Sequence, residues 1–437
     1  MRDFLVTGVI FALLPACFFS PWIGVLVWSW IGYMNPHRLT WSFAYTMPFA
    51  QMVAIATLSG LLFTKDRMPL PRRREVYLLL ALWGVFLAST FNALHPDPAW
   101  EQLTKVSKIL LMTFVTLLLF QDRRKLRVLF YVIALSIGFF GLKGGIWAVA
   151  TGGANSVLGP PDSFIEGNTD LGLALNMVLP ILLLLSRDER RPWLRYLLRA
   201  TFGFSIIAVL FTYSRGAVLG LAVVLPLMLL KSRIRLAIIP LALVAALFGK
   251  PLIESVMPAP WLERMGTIGT PEEDASASMR LNAWRVAYLL AWDHPFLGAG
   301  FRPFSPEVYS RYSPDERWND NQDAHSIYLQ VLAEHGFTGL ALYGGLILST
   351  LLSLRHIVRR SRRDPGGGRW LGDAARALEV SLAGFLVSGT FLSISYFDLF
   401  FHVVAMTTIL RLLLDQQTAE SSRGTVPAAI RQDLVRR

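Results

Sequence analysis

The polar segment 320–339 holds the residues whose types and spacing best suit catalysis. His325 stands two residues after Asp323, and Gly336 follows as a hinge before an apolar run. Histidine titrates near neutral pH, so His325 could act as a general base that takes a proton from a hydroxyl group. Asp323 or Asp320 could orient its ring or raise its basicity. The alternative is a structural histidine that satisfies backbone groups at a helix start.

The same segment could also hold a metal ion, because Asp320, Asp323 and His325 offer oxygen and nitrogen ligands. Their spacing matches no standard ligand pattern, however, and no cysteine or second spaced histidine completes the set. We therefore expect chemistry without a metal or another cofactor. The sequence lacks a GxxxxGK phosphate loop, which argues against nucleotide hydrolysis. No nucleophile elbow surrounds Ser214 or Ser326, which argues against covalent serine catalysis.

Two arginines could bind an anion. Arg215 separates two apolar runs with almost no loop to spare, and Arg280 lies near the start of a predicted helix. A guanidinium group matches phosphate oxygens in a bidentate manner, and a helix N-terminus favours negative charge. Arg215 and Arg280 are therefore predicted to bind an anion such as a phosphate. The alternative for Arg215 is an arginine that reaches the membrane interface and helps the chain to turn.

Four further residues are weaker candidates. Lys143 lies inside an apolar run, where a charge is costly unless it is functional or paired with a residue such as Asp170 or Asp398. Arg302 belongs to a long polar loop. Asp323 and Asp398 complete this group.

Composition identifies the class of protein that must position these residues. Hydrophobic residues make up 54% of the 437 residues, charged residues only 16%, and the mean hydropathy is +0.46. A soluble domain could not bury so much apolar surface, so we predict an all-α, polytopic helical membrane protein. The single Cys17 excludes an intrachain disulfide. The net charge of +12 lies mostly in short loops between apolar runs, which argues against nucleic acid as a partner.

The apolar runs predict about twelve transmembrane helices. They lie at 4–34, 44–64, 76–93, 102–120, 127–150, 168–186, 196–213, 216–230, 235–250, 337–355, 374–394 and 397–414.

Positive charge predicts the orientation of these helices. Basic loops around residues 72–74, 123–125, 187–199, 231–235 and 359–363 follow alternate runs, so all of them can be cytoplasmic together. One crossing at 4–34 then places both termini in the cytoplasm. The alternative is a hairpin within 4–34, which contains Pro15 and Pro21, with an N-terminus outside.

Four regions follow from this topology. Residues 1–250 would hold the first nine helices, 337–414 the last three, and 415–437 a cytoplasmic tail. The long loop 251–336 would face outward and carry short helices. Ser276 or Ser278 can begin one helix that ends near Ala291, and Asp323 or Ala324 can begin another that Gly336 ends.

The residues singled out above resemble the signatures of a known family. The chain is similar to the O-antigen ligase and O-antigen polymerase superfamily in three ordered segments, at 213–216, at 280–301 and at 323–339. Its opening, residues 1–38, resembles the branch of exosortase-associated O-glycosylation ligases.

The resemblance implies an O-antigen ligase of lipopolysaccharide biosynthesis, in the bacterial inner membrane with its active site facing the periplasm. Such a glycosyltransferase moves a glycan from undecaprenyl diphosphate to a sugar hydroxyl of lipid A-core, without a metal. His325 would be the base and Arg215 and Arg280 would bind the diphosphate. In-line attack would invert the anomeric centre.

Two other functions stay open. The same donor could serve a polymerase that extends another lipid-linked glycan, or a ligase that glycosylates protein. A transporter or flippase of lipid-linked sugars belongs to a different class. It should show inverted repeats and helices broken at mid-membrane, and the sequence has no repeat.

Overall fold

The computed structural model describes residues 1–230, 254–255, 257–266, 275–313, 322–362 and 369–424. These residues form helices, turns and loops, and none of them lies in a β-strand, which confirms the predicted all-α class. Short 3-10 helices occupy Pro36–Leu39 and Phe43–Tyr45. The α-helices are α1 (Arg2–Phe19), α2 (Pro21–Met34), α3 (Phe49–Phe63), α4 (Arg74–Phe91), α5 (Pro96–Leu119), α6 (Arg123–Ala150), α7 (Asn168–Asp188), α8 (Pro192–Leu210), α9 (Arg215–Leu230), α10 (Ala259–Gly266), α11 (Ala275–Asp293), α12 (Pro306–Tyr312), α13 (Ile327–Ser361), α14 (Arg369–Gly389) and α15 (Asp398–Gly424).

Length and composition make seven of the described helices long and apolar enough to cross a membrane. They are α1, α4, α5, α6, α7, α8 and α13, and the apolar helices α3 and α9 are shorter. By this criterion, the described helices do not reach the predicted count of about twelve transmembrane helices. The predicted run 235–250 lies outside the described residues.

Helices α1 to α9 alternate in direction, as do α13 to α15, so that they define two ends of the molecule. At one end, Tyr213 donates to the carbonyl of Gly153 and the backbone N–H of Leu94 donates to the carbonyl of Ala299. We call this the site end. At the other, which we call the basic end, the Arg73 guanidinium meets the carboxylate of Asp415. The basic segments around 72–74, 123–125, 187–199 and 359–362 all lie there.

The first apolar run agrees with the alternative of a hairpin and not with one continuous helix. Residues 4–34 form two helices, α1 and α2, broken at Ser20. The carboxylate of Asp3, near the start of α1, accepts from the backbone N–H of Ser42 at 3.0 Å, while Phe18 near its end packs on Phe63 of α3. Helices α1 and α2 are therefore antiparallel, and the N-terminus lies at the site end.

The polar segment 251–336 carries the predicted short helices in part. The helix expected from residue 276 or 278 to 291 is present as α11. Helices α10 and α12 were not predicted, although Ser305, whose side chain accepts from Val308 N–H, followed by Pro306 is a typical helix start.

Two helix boundaries differ from the prediction, the start of α13 and the end of α15. Helix α13 begins at Ile327, not at Asp323 or Ala324, because His325 has φ of 44° and Ser326 is extended. Gly336 breaks α13 at φ 66°, as expected of a hinge glycine. The last helix continues to Gly424, past the predicted boundary at 414.

Candidate functional site

The backbone of His325 is held in an unusual conformation just before α13. Its φ of 44° lies in the left-handed region, which histidine enters more readily than most residues. Its backbone N–H donates to Ser393 Oγ at 2.8 Å, from the turn that joins α14 and α15. This hydrogen bond holds the backbone of His325 in place although the residue belongs to no helix.

The surroundings of the His325 ring favour its neutral form. Burial lowers the pKa of His325 below 6.5, and the positive charge of Arg280 lowers it further. The carboxylate of Asp323 acts in the opposite direction. Asp323 is exposed and no hydrogen bond joins it to the ring, so its influence is electrostatic and it does not orient the imidazole. A neutral imidazole near a fixed cation can accept a proton at neutral pH.

Helix α11 brings Arg280 to this place. Arg280 is half-buried in its first turns, and Trp284 follows one helical turn later on the same side. The Trp284 ring stacks on Phe391, with 6.5 Å between ring centroids. Its Nε1–H is buried without a hydrogen-bond partner among the described residues. A ligand oxygen that entered here would satisfy this donor.

Arg215 approaches the same turn from the other side. It is the first residue of α9, and its neighbour Gly216 lies against Phe391, whose Cβ would be 3.3 Å from a Cβ added to the glycine. Tyr213 turns the chain with φ of 56°, and Arg264 donates to its carbonyl at 2.8 Å. Arg215 therefore stands at a helix N-terminus, which adds to its attraction for an anion.

One turn, residues 390–397, links the three predicted residues. Phe391 contacts both the Arg215 helix and the Arg280 helix, and Ser393 holds the backbone of His325. The functional part of this turn is not visible in the sequence, because Ser393 is 68 residues away from His325.

A second feature that sequence analysis missed is a set of glycine contacts, which we call the glycine seam. It joins residues 295–300 to residues 333–337. Gly298 has φ of 68°, and a Cβ there would lie 2.4 Å from the carbonyl carbon of Glu334. A Cβ added to Gly336 would lie 2.6 Å from the carbonyl oxygen of Pro295. The backbone N–H of Gly300 donates to the carbonyl of Glu334 at 3.0 Å, which completes the seam.

A buried polar network lies below this seam. The carboxylate of Glu334 accepts from the Tyr396 hydroxyl, and that hydroxyl lies 2.7 Å from Nε2 of His335. The other ring nitrogen of His335 lies 2.7 Å from Ser89 Oγ. All four side chains are buried, and Phe86 packs on the imidazole with 4.4 Å between centroids. His335 is therefore part of the packing, as expected from its position beside the hinge.

Three of the four weaker candidates, Lys143, Arg302 and Asp398, have no hydrogen bond or ion pair with His325 in the described structure. Lys143 is exposed on α6 and makes no ion pair with Asp170 or Asp398. The backbone N–H of Arg302 donates to the Glu334 carboxylate at 3.2 Å, and its guanidinium lies 3.7 Å from Glu101. Asp398 is buried at the start of α15, where its Oδ1 lacks a partner.

The rival metal set is not assembled in the part of the chain that the structure describes. There, no three His, Cys, Asp or Glu side chains are grouped as metal ligands. Asp320, one of the predicted ligands, lies outside the described residues. Chemistry without a metal stays a prediction.

Comparison with known families adds to this geometry. Residues 200–344 match the family model described as O-antigen ligase, and this segment contains Arg215, Arg280 and His325. The match supports membership of the O-antigen ligase superfamily. That family suggests a glycosyltransferase of the ligase or polymerase type that acts in a membrane on lipid-linked glycans. Residues 1–189 match a second model, a family of unknown function, and a search of curated proteins finds no match.

Proposed function

We propose that the protein is a metal-independent, inverting O-antigen ligase. It moves a glycan from undecaprenyl diphosphate to a sugar hydroxyl of lipid A-core at the periplasmic face of the inner membrane. The observation that carries the proposal is the fixed, half-buried His325 with Arg280 close enough to lower its pKa. These are the two kinds of group that such a transfer needs.

The acceptor hydroxyl requires a base. As its oxygen attacks the anomeric carbon, Nε2 or Nδ1 of His325 takes the hydroxyl proton, and the bond from that carbon to the diphosphate oxygen breaks. Attack opposite to the leaving group inverts the anomeric centre. The neutral imidazole that burial favours is the form that can accept this proton.

The leaving diphosphate requires positive charge. It carries more negative charge in the transition state than in the donor, so preorganised cations at its oxygens lower the barrier. Arg280 and Arg215 stand on either side of the Phe391 turn, each near the N-terminal end of a helix. The unpartnered Trp284 Nε1–H could donate to the glycan or to a phosphate oxygen.

The arginine assignment is tested by substitution. Arg215→Ala and Arg280→Ala should each lower the transfer rate by about 10²-fold, the scale seen when one preorganised donor is removed. Lysine at either position should restore activity only in part, because it cannot make the bidentate contact. Arg285→Ala is the matched control, since Arg285 is exposed on the same helix as Arg280. Wild-type turnover in an alanine variant at normal protein level would assign that arginine a structural role.

Reconstitution tests the whole reaction. Purified protein in liposomes, with lipid-linked glycan and lipid A-core and with a chelator present, should form glycosylated lipid A-core. Parallel reactions with a second lipid-linked glycan or with an acceptor protein distinguish the ligase from a polymerase and from a protein glycosylase. Movement of donor across the bilayer without product would support a transporter and would contradict the proposal.

A further inference from the structure

A large cavity to which the proposed transfer assigns no role lies at the basic end, away from His325. A cavity of about 1080 Å³ opens there between α6, α7, α9, α13 and α14. Five arginines line it together with two aspartates. The arginines are Arg123, Arg187, Arg362, Arg369 and Arg376. Because the helices separate this cavity from the site end, it cannot present a glycan donor to His325.

The acidic residues of the cavity are already engaged. Asp373 pairs with Arg376, and Asp188 lies 3.1 Å from Arg127, which is outside the cavity. Within the described ranges, no carboxylate pairs with Arg123 or Arg369. The cavity therefore carries uncompensated positive charge.

Two buried polar side chains in the cavity wall also lack partners. Trp370 is 6% exposed and its Nε1–H makes no hydrogen bond to the residues that the structure describes, while Arg123 lies over its ring at 4.9 Å from the centroid. Ser361 is also 6% exposed, and its Oγ makes none. A buried donor without an acceptor is costly, so both groups point to a ligand that offers oxygen atoms.

The deeper wall of the cavity is apolar. Leu184, Met228 and Val380 line it from α7, α9 and α14. A free phosphate would leave these side chains uncovered. A phospholipid would fill both parts, with its phosphate among the arginines and an acyl chain along the apolar wall.

We propose that this cavity binds an anionic phospholipid. The charge agrees with its place, since basic residues at this end of membrane helices attract anionic headgroups. The proposal does not depend on the transfer reaction, because it concerns the opposite end of the molecule. It adds a lipid-binding site at the basic end to a protein whose proposed substrates bind at the site end.

Native mass spectrometry of the full-length protein, released from phosphatidylcholine nanodiscs and titrated with phosphatidylglycerol, tests the proposal. The wild type should bind phosphatidylglycerol more tightly than phosphatidylcholine with the same chains. Joint Arg123→Gln and Arg369→Gln should weaken the first binding event by about 25-fold, or about fivefold for each arginine. Trp370→Phe, which keeps an aromatic side chain but removes the indole N–H, should weaken it several-fold.

The matched control changes Arg124 and Arg190 to glutamine, because both are exposed at the same end and neither lines the cavity. It should keep the affinity of the wild type. An equal loss in the control would show general surface attraction and overturn the site. Unchanged binding in the double cavity variant or in Trp370→Phe would overturn it too, as would displacement of the lipid by soluble glycerol phosphate at similar concentrations.

Discussion

The left-handed backbone of His325 separates its ring from the helix that follows, so the ring is placed by Ser393 and not by helix geometry. His325→Ala should lower the transfer rate by about 10²–10⁴-fold, the usual contribution of a positioned acid–base group. Retention of radiolabelled donor should survive, because the proposal assigns binding of the diphosphate to the two arginines and not to His325. His294→Ala, in the same region, should keep its rate. If His325→Ala kept its rate and lost the donor, the ring would be a phosphate ligand instead.

The charges around His325 give a prediction on pH. A base works in its neutral form, so the rate should rise with pH through the lowered pKa of His325 and become level above about 6.5. Arg280→Gln removes a charge that lowers this pKa and should move the acid limb to higher pH. Asp323→Asn removes a charge that raises it and should move the limb to lower pH.

The pH dependence of kcat/KM in the three proteins measures these shifts, since it reports groups of the free enzyme. Arg285→Gln should leave the acid limb in place. Shifts of the same sign in Arg280→Gln and Asp323→Asn would show that another group titrates.

At the scale of residues, the sequence was sufficient to select candidate residues by their chemical type. It was not sufficient to find the residues that hold them in place. His325 and Arg280 were chosen because an imidazole and a guanidinium suit proton and phosphate chemistry, and the structure brings their charges together. Ser393 and Phe391 could not be chosen, because a hydroxyl and a phenyl ring in a turn have no chemical signature of their own.

At the scale of elements, the glycine seam gives a prediction on stability. Gly298→Ala should destabilise the protein, because φ of 68° is strained for alanine and the new Cβ would meet backbone atoms at 2.4 Å. The strain alone costs about 1–3 kcal/mol. Gly344→Ala is the matched control, since nothing lies within 4 Å of a Cβ at that helical position.

Thermal unfolding in detergent compares the two variants. Gly298→Ala should have a lower Tm than the wild type, whereas Gly344→Ala should match or exceed it, because alanine favours helix over glycine by about 1 kcal/mol. Equal Tm values in both variants would mean that the glycine seam accommodates the alanine side chain without a loss of stability.

The presence of a helix could be predicted where an apolar run or a helix cap was present, as for α11. The residues at which helices begin and end were harder to predict. The start of α13 was placed up to four residues early because Asp323 is a good helix cap, whereas the bond from His325 N–H to Ser393 keeps residues 323–325 out of the helix. Such a tertiary bond has no local signal.

At the scale of the whole molecule, the antiparallel pair α1 and α2 changes the expected topology. The N-terminus and residue 313 should lie on the same side of the membrane, opposite to residue 124. In a Cys17→Ser background, Arg2→Cys and Ser313→Cys should react with an impermeant maleimide in intact spheroplasts, and Arg124→Cys only after lysis. If Arg2→Cys did not react with the maleimide before lysis, residues 4–34 would cross the membrane once.

The length of the first run could have indicated this hairpin. A helix of residues 4–34 would be about 46 Å long, well beyond the roughly 30 Å of hydrocarbon that one crossing requires. Pro21 also favours the first turn of a new helix over the interior of an old one. Charge counting alone could not decide, since it fixes only the relative sides of the loops.

The glycine seam also limits how this protein can be recombined with its relatives. Residues 295–300 and 333–337 touch through backbone atoms, with no side chain between them that could adjust to a foreign partner. Ser393 and Tyr396 add contacts from a third stretch of chain. A chimaera that exchanges acceptor preference should therefore carry residues 294–337 and 390–397 from one parent as a single cassette, because a junction between them would separate surfaces shaped to each other.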